Sequence, residues 1–459
     1  MKQSARSREE TLLMLSLAWP CILENVSSTL VSLVDTAMVG SIGAVATAAV
    51  GACTTPVWLL NGLVRSLGVG GTALVARAIG ADDRGSAEHT ASQVFRTAVL
   101  LAIALFCFFF FGAGLIPRMM RVSAEVLPEA TAYARIFACG FLFHYTGMCM
   151  GALLRGAGDT RTPMISGLMA NVLNILGNFL MIYPTRELTL FGIRVTVWGA
   201  GLGVRGAALA SAVSMGIAGL YILVRMLSPG CRLRLRPSLR SSWDLPLLKR
   251  VLTIAAPAAL ERISINVGQI LFAGYISSIG TAELAAYHIT TNIEALGYMP
   301  ANGFQAAATA LVGQKLGAKE PEAAQRLGRK AILYALGLLT VIGGLLYLLR
   351  QPLAGLFTAD PQVLAVTVRL LILCALVQPF NALTIVTVGA LNGAGDTRMP
   401  FVFSLVTMWA VRIVFSNLLG FTLGYGVMGI YFSMILDLAV RSALLLIRFH
   451  GGRWKTVRV

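Results

Sequence analysis

Gly156-Ala157-Gly158-Asp159-Thr160-Arg161-Thr162-Pro163 and Gly393-Ala394-Gly395-Asp396-Thr397-Arg398-Met399-Pro400 are one motif written twice, 237 residues apart. The same offset links Pro20-x-x-Leu23-Glu24 to Pro257-x-x-Leu260-Glu261, and Ser41-Ile42-Gly43 to Ser278-Ile279-Gly280. It also links Thr72-Ala73-Leu74-Val75 with Gly80-Ala81 to Thr309-Ala310-Leu311-Val312 with Gly317-Ala318. One ungapped offset over about 140 residues marks an internal duplication, because chance matches do not keep register. After the fifth apolar stretch the first copy carries extra residues around Thr185 to Trp198.

Around these motifs the chain is 57% apolar and 12% charged. Soluble domains carry roughly 25% charge, so too few charges are present to cover the surface of a 459-residue soluble protein. That excludes a soluble enzyme, a disordered chain and a DNA-binding module. A membrane-spanning helix needs about 20 mostly apolar residues. Twelve stretches qualify, near 16–39, 45–75, 94–116, 127–153, 163–183, 199–225, 250–277, 284–312, 330–349, 363–389, 400–421 and 425–448. Six fall in each copy, and an even number returns the chain to its starting side. The expected fold is an all-α membrane protein of 12 transmembrane helices in two parallel six-helix repeats, related by an axis along the membrane normal. The expected divisions are an N-lobe at 1–227, a basic linker at 228–245 and a C-lobe at 246–459.

Lys and Arg outnumber Asp and Glu by 37 to 20. With both termini inside, the inner segments hold 24 of these bases and the outer loops five. The bias places both termini in the cytosol of a cell whose cytoplasmic membrane the chain crosses. The basic excess therefore needs no nucleic acid. The seven cysteines lie mostly in apolar runs without a C-x-x-C, and read as packing residues. The four histidines have no metal-ligand spacing, and no metal or cofactor is expected. Asn25-Val26-Ser27 lies inside a span and is a chance sequon. Gly68-Val69-Gly70-Gly71 follows no strand and is no nucleotide fingerprint.

Further motifs resemble the multidrug and toxic compound extrusion (MATE) family. They are Pro20 with Asp35-Thr36-Ala37-Met38-Val39-Gly40 and Gly43 in span 1, and Thr72-Ala73-Leu74-Val75 ending span 2. Loop 4–5 adds Arg155-Gly156-x-Gly158-Asp159-Thr160-Arg161, and Val312-Gly313-Gln314-x-x-Gly317-Ala318 follows span 8. The resemblance runs from about Leu12 to Leu446. It implies two six-helix lobes around a central cleft, and export of cationic or amphipathic organic compounds driven by inward H⁺ or Na⁺.

Acids inside a membrane are costly, so each invites a functional reading. Glu24 and Asp35 are eleven residues apart, about three helical turns, and share one face of span 1 with Ser28. Asn171, Asn174 and Asn178 form a second polar stripe on span 5. The resemblance makes Asp35 the coupling carboxylate, helped by Asn174 and Asn178. One subgroup of the family carries Asp at the place of Asn178, which here cannot titrate. Another subgroup carries carboxylates at the places of Ile265 and Asn381. The repeat mate of Asn381 is His144, and that of Asp35 is Phe272, so the cation chemistry should be concentrated in the first lobe.

Candidates for the substrate cleft or an inner gate are Glu24, Glu261, Glu294, His144 and Asn381. Glu294 has Arg65, Arg262 and Arg412 as alternative partners. Asp437 and Arg441 sit at i, i+4 and read as a structural pair, with Arg412 a further partner for Asp437. The paired Gly-Ala-Gly-Asp-Thr-Arg loops read as tight turns in which Asp or Thr caps spans 5 and 11. The expected protein is thus a monomeric, cation-coupled efflux transporter of the cytoplasmic membrane, with small-molecule substrates and no enzymatic role. Its rivals are a lipid-linked precursor flippase of related architecture, with a cationic cleft, and more distantly a membrane-embedded transferase.

Overall fold

The computed structural model describes residues 2–190, 193–236 and 242–457. The expected linker's residues 237–241, and 191–192 of the extra segment, lie outside the described residues. The first half runs α1 (Lys2–Gly40), α2 (Ala44–Gly80), α3 (Arg84–Phe111), the short α4 (Leu115–Met119), α5 (Val126–Ala138), α6 (Phe141–Gly156) and α7 (Arg161–Met181). An antiparallel hairpin of β1 (Pro184–Leu190) and β2 (Ile193–Ala200) follows, then α8 (Gly203–Leu227). The extra residues of the first copy form this hairpin. The second half runs α9 (Leu245–Ser277), α10 (Thr281–Gly317), α11 (Pro321–Leu348), the short α12 (Arg350–Gly355) and α13 (Pro361–Gly393). It ends with α14 (Arg398–Val406), α15 (Val414–Asn417) and α16 (Gly426–His450). Two π-helical stretches, Thr407–Ile413 and Leu418–Thr422, lie before and after α15.

Among the described residues, ten helices are long and apolar enough to cross a membrane, and the bent pair α5–α6 brings the number to eleven. The twelve expected spans reduce to that count by length and composition. Helix α10 holds the place of expected span 8 and is 37 residues long. Its apolar run is broken by Glu283, His288, Asn292, Glu294, Asn302 and Gln305. The chain is a multi-pass membrane protein.

Several helix starts follow from single residues. Gly43, at φ 139°, turns the chain between α1 and α2 with a backbone that side chains rarely tolerate. Asp83 accepts from the Ser86 amide at 2.9 Å and starts α3, and Asp244 accepts from the Leu247 amide at 2.9 Å and starts α9. The bonds from Ser86 hold the Asp83 carboxyl below the usual carboxylate range, and the Leu247 amide does the same for Asp244.

Lipid tails are as apolar as the side chains, so close packing and hydrogen bonds hold such helices together. The hydrophobic cores show how the halves interlock. Leu247, Val251 and Ile254 of α9 belong to the core of the first half. Met14, Leu17 and Ala18 of α1 belong to the core built by α10, α11 and α13. Met14 and Leu17 are the mates of Val251 and Ile254 at the 237-residue offset. Each half thus lends the start of its first helix to the other.

Candidate functional site

The halves meet tightly at the end carrying the repeated turns. A side chain at Gly80 of α2 would collide with the backbone of Gln314, and one at Gly317 of α10 with the backbone of Arg77. Only glycine permits either approach. Gln314 Nε2 donates to the Gly156 carbonyl at 2.8 Å, and Arg77 Nη2 donates to the carbonyls of Ala394 at 2.7 Å and Val457 at 2.9 Å. Arg77 and Gln314 are repeat mates. Each reaches from the end of its half's second long helix to the other half's Gly-Ala-Gly-Asp turn, forming a pseudo-twofold clasp. Gly158 and Gly395 hold positive φ of 85° and 81° in those turns.

The two turns diverge in their polar contacts. Asp159 caps α7, accepting from the Thr162 amide at 3.0 Å and its hydroxyl at 2.7 Å. Asp396 instead takes Arg448 Nε at 2.9 Å, and Thr397 Oγ1 donates to the Ile254 carbonyl at 2.8 Å. The expected Asp or Thr cap is therefore made on span 5. On span 11 the same side chains brace α16 and α9.

Beyond the clasp the halves enclose a cleft of about 810 Å³ lined by both. On the first-half wall Glu24 and Asp35 both face it from α1, as their spacing requires. Glu24 Oε2 lies 3.4 Å from Arg155 Nη1. Asn171 Nδ2 donates to Ser27 Oγ at 3.0 Å. Asn178 Nδ2 donates to Asp35 Oδ1 at 2.5 Å and to Asn174 Oδ1 at 3.2 Å, while Asn174 Nδ2 donates to Ser211 Oγ at 3.0 Å. Asn178 is fully buried, and its Oδ1 has no partner among the described residues. Asp35, Asn174 and Asn178 are thus brought together by α1 and α7.

The second-half wall is built differently. Glu261 Oε1 accepts from Ser404 Oγ at 2.8 Å. Glu294 accepts from Asn381 Nδ2 at 3.2 Å and from the Tyr431 hydroxyl at 3.1 Å, so its bonds go to neutral groups rather than to an arginine. Asp437 is wholly buried between two guanidiniums, with Arg441 Nη2 at 2.7 Å and Arg412 Nε at 2.8 Å. Arg441 Nε also donates to Thr407 Oγ1 at 2.9 Å. Arg412 stands 5.6 Å over the Phe272 ring. Phe272, Ile265 and Asn381 line the cleft, as does His144, whose ring packs against Tyr145.

Sequence reasoning passed over Tyr431, Ser404 and Ser211, which only the tertiary packing brings to the acids and amides. It treated Arg65 and Arg262 as alternative partners for Glu294, yet both are exposed in the cleft and pair with nothing among the described residues. Among the described residues no three His, Cys, Asp or Glu side chains gather as a metal site would require. The arrangement offers a two-sided chamber of mixed polar and apolar lining, in which Asp35, Glu261 and Glu294 accept from neutral groups and Glu24 meets an arginine.

Comparison with known proteins agrees with this architecture. The MatE family model matches residues 20–180 and 257–418, one match in each half. A probable multidrug resistance protein NorM of Thermotoga maritima is 29% identical over 96% of this chain and 92% of its own length. A multidrug resistance protein MdtK of Edwardsiella ictaluri is 26% identical over 96% and 94%. Among solved structures, an outward-facing multidrug resistance MATE family transporter shares the fold at TM-score 0.86 and 22% identity, covering 96% of this chain and 94% of its own. A Vibrio cholerae MATE transporter matches at TM-score 0.86 and 19% identity, covering 97% of each chain.

Proposed function

This chain belongs to the MatE family, and from that we propose that it is a twelve-span, two-lobe antiporter exporting cationic or amphipathic organic compounds against inward H⁺ or Na⁺. The lobes are 1–227 and 246–459, joined by the basic segment 228–245, with both termini in the cytosol of a cytoplasmic membrane, and the protein acts as a monomer. Helix α10 is the twelfth span, its polar residues serving the cleft. The charge bias of 24 inner to five outer bases supports this orientation. On that orientation the clasp is the inner gate, and its closure leaves the cleft to the outside.

The observation that carries the coupling assignment is the corner formed by Asp35, Asn174 and Asn178. One Asp35 oxygen takes the Asn178 amide, while the neighbouring buried Asn178 Oδ1 stands without a donor. A buried acceptor without a partner costs free energy that a bound cation relieves. Asp35 binds H⁺ or Na⁺ there; Asn178 positions the carboxylate, and Asn174, anchored on Ser211, positions Asn178. Substrate loading and cation loading then compete through the same wall of the cleft. Glu24 and Glu261 serve the gate side, while Glu294, Asn381 and His144 line the substrate path. Asp437 and Arg441 are structural.

The relatives' names, NorM and MdtK multidrug resistance proteins, support export of drugs. The flippase reading draws on the five arginines of the cleft; the four acids interspersed in its lining, together with the relatives' names, support the drug exporter. The test is reconstitution into vesicles with separate pH and Na⁺ gradients and a lipophilic cationic dye. The wild type exports the dye with one gradient, and Asp35→Asn slows that export about tenfold or more. Normal export by Asp35→Asn overturns the coupling role; no dye export by the wild type overturns the function.

A further inference from the structure

At the gate end of the cleft, two arginines face the same space from opposite halves. Arg65 comes from α2 and Arg262 from α9, and a side chain at Gly62 would touch Arg262 Cβ at 3.9 Å. Arg65 lies within electrostatic reach of Arg262, Arg155 and Glu24, and His144 within reach of Arg65. Arg155 and Glu24 already engage each other. Arg65 and Arg262 are exposed to the cleft, and neither makes a hydrogen bond or ion pair among the described residues.

Packing alone does not require this pair. At the 237-residue offset, Arg65 is the mate of Asn302 and Arg262 the mate of Asn25. The α1–α10 seam therefore carries two neutral amides where the α2–α9 seam carries two guanidiniums. Asn25 satisfies itself on the Cys21 carbonyl. Guanidiniums stay charged at any physiological pH, and inside a membrane an unpaired one is held at a cost. Two of them side by side also repel. An anion between them removes both penalties, and a carboxylate matches the planar fork of each guanidinium.

The acid Glu294 lines the same cleft as this positive pair. Tyr298 lies within electrostatic reach of both Arg262 and Glu294, which sets the two signs at neighbouring places along one wall. Resting on the export reading above, we propose that Arg65 and Arg262 form an anion subsite, and that the substrates are amphipathic zwitterions. The carboxylate seats between the arginines and the ammonium turns toward Glu294. Because Arg65 and Arg262 belong to different halves, the bound carboxylate also ties the halves together across the cleft.

The test uses purified full-length protein in detergent and three probes: Nα-dansyl-lysine, a zwitterion; its methyl ester, a cation; and farnesyl pyrophosphate, a lipid anion. The wild type binds the zwitterion about tenfold more tightly than the ester, and more tightly than the lipid anion. Arg65→Gln and Arg262→Gln each erase that preference and leave ester binding within about twofold, while Arg262→Lys retains part of it. Equal wild-type affinity for zwitterion and ester overturns the subsite without reference to any variant. So does an equal loss of both in the variants, which is the mark of a structural role. Tighter binding of farnesyl pyrophosphate overturns the zwitterion assignment. Vesicle export of the same probes separates the two proposals: discrimination in binding without export removes the exporter and leaves the subsite, and export without discrimination does the reverse.

Discussion

The two halves repeat one backbone plan and place their charged groups at different positions in it. In the first half, Asp35 looks onto the amides Asn174 and Asn178. Their mates in the second half are Phe272, Val411 and Phe415, so the equivalent corner is apolar. The second half buries Glu261, Glu294 and Asp437 among its acids, and the first two accept from neutral groups. Asp437 lies on α16 between Arg412 and Arg441, and among the described residues no guanidinium bonds to Asp35. A carboxylate locked between two fixed cations has no reason to change charge, whereas one among neutral amides can exchange its cation. On the proposed function, the difference separates a transport group from a brace, although both are acids inside a membrane.

The largest effect should come from breaking the brace. Asp437→Asn leaves two buried guanidiniums without a counter-charge, and the loss is about 3–5 kcal/mol in thermal unfolding of the purified protein. An unchanged unfolding midpoint would mean that Arg412 and Arg441 find other partners, and would erase the contrast with Asp35. Asp35→Asn, by contrast, should leave the midpoint close to that of the wild type.

Next comes the clasp, where the halves are alike. Gly80→Val and Gly317→Val push side chains into the backbones of Gln314 and Arg77. Each should disfavour the closed gate by about 1–3 kcal/mol, read as faster labelling of cysteines introduced at Ala81 and Ala318. The two variants should match each other; a large disparity would show that the clasp is not pseudo-symmetric in energy.

Glu24 and Glu261, proposed above for the gate side, sharpen the comparison at smaller scale. Ser404→Ala removes the donor to Glu261 and should lower stability by about 1–2 kcal/mol. The mate of Ser404 is Gly167, where an added side chain would meet Glu24 at 2.9 Å. Gly167→Ser therefore displaces Glu24 from its place beside Arg155, and a double-mutant cycle between Arg155 and Glu24 should show weaker coupling in that background.

The smallest effect concerns pH. Asp83 and Asp244 cap α3 and α9 with carboxyls held below their usual range. A depressed folded-state value means the stabilisation is present above the unfolded value and disappears as pH falls through the folded one. The unfolding midpoint should drop on acidification below the usual carboxylate range. An Asp83→Asn, Asp244→Asn double variant should show a flatter profile over the same window.

Much of this plan is legible in the sequence because it is written locally. Apolar runs mark the membrane helices, the constant offset marks the duplication, and eleven-residue spacing puts Glu24 and Asp35 on one face. The hairpin at Pro184–Ala200 escapes such reading because it sits in the segment that the duplication does not cover. The exchange of Met14 and Leu17 for Val251 and Ile254 between cores is a tertiary event with no periodicity of its own. The isolation of Arg65 and Arg262 also depends on packing, yet their mates Asn302 and Asn25 carried the signal. Within a duplicated chain, the departures between mates point to chemistry, and the agreements point to fold. Helix α10, expected as span 8, is not among the helices apolar enough to cross a membrane among the described residues, because polar residues that line the cleft interrupt its apolar run.

Cation release on substrate binding tests the central claim most directly. Purified protein is loaded with H⁺ or Na⁺ in weakly buffered detergent solution, and the ion freed on adding a lipophilic cationic dye is measured. The wild type and Phe272→Asp should release the coupling ion, and Asp35→Asn should bind the dye but release none. Release by Asp35→Asn equal to that of the wild type would contradict the account and move the coupling site out of the first half.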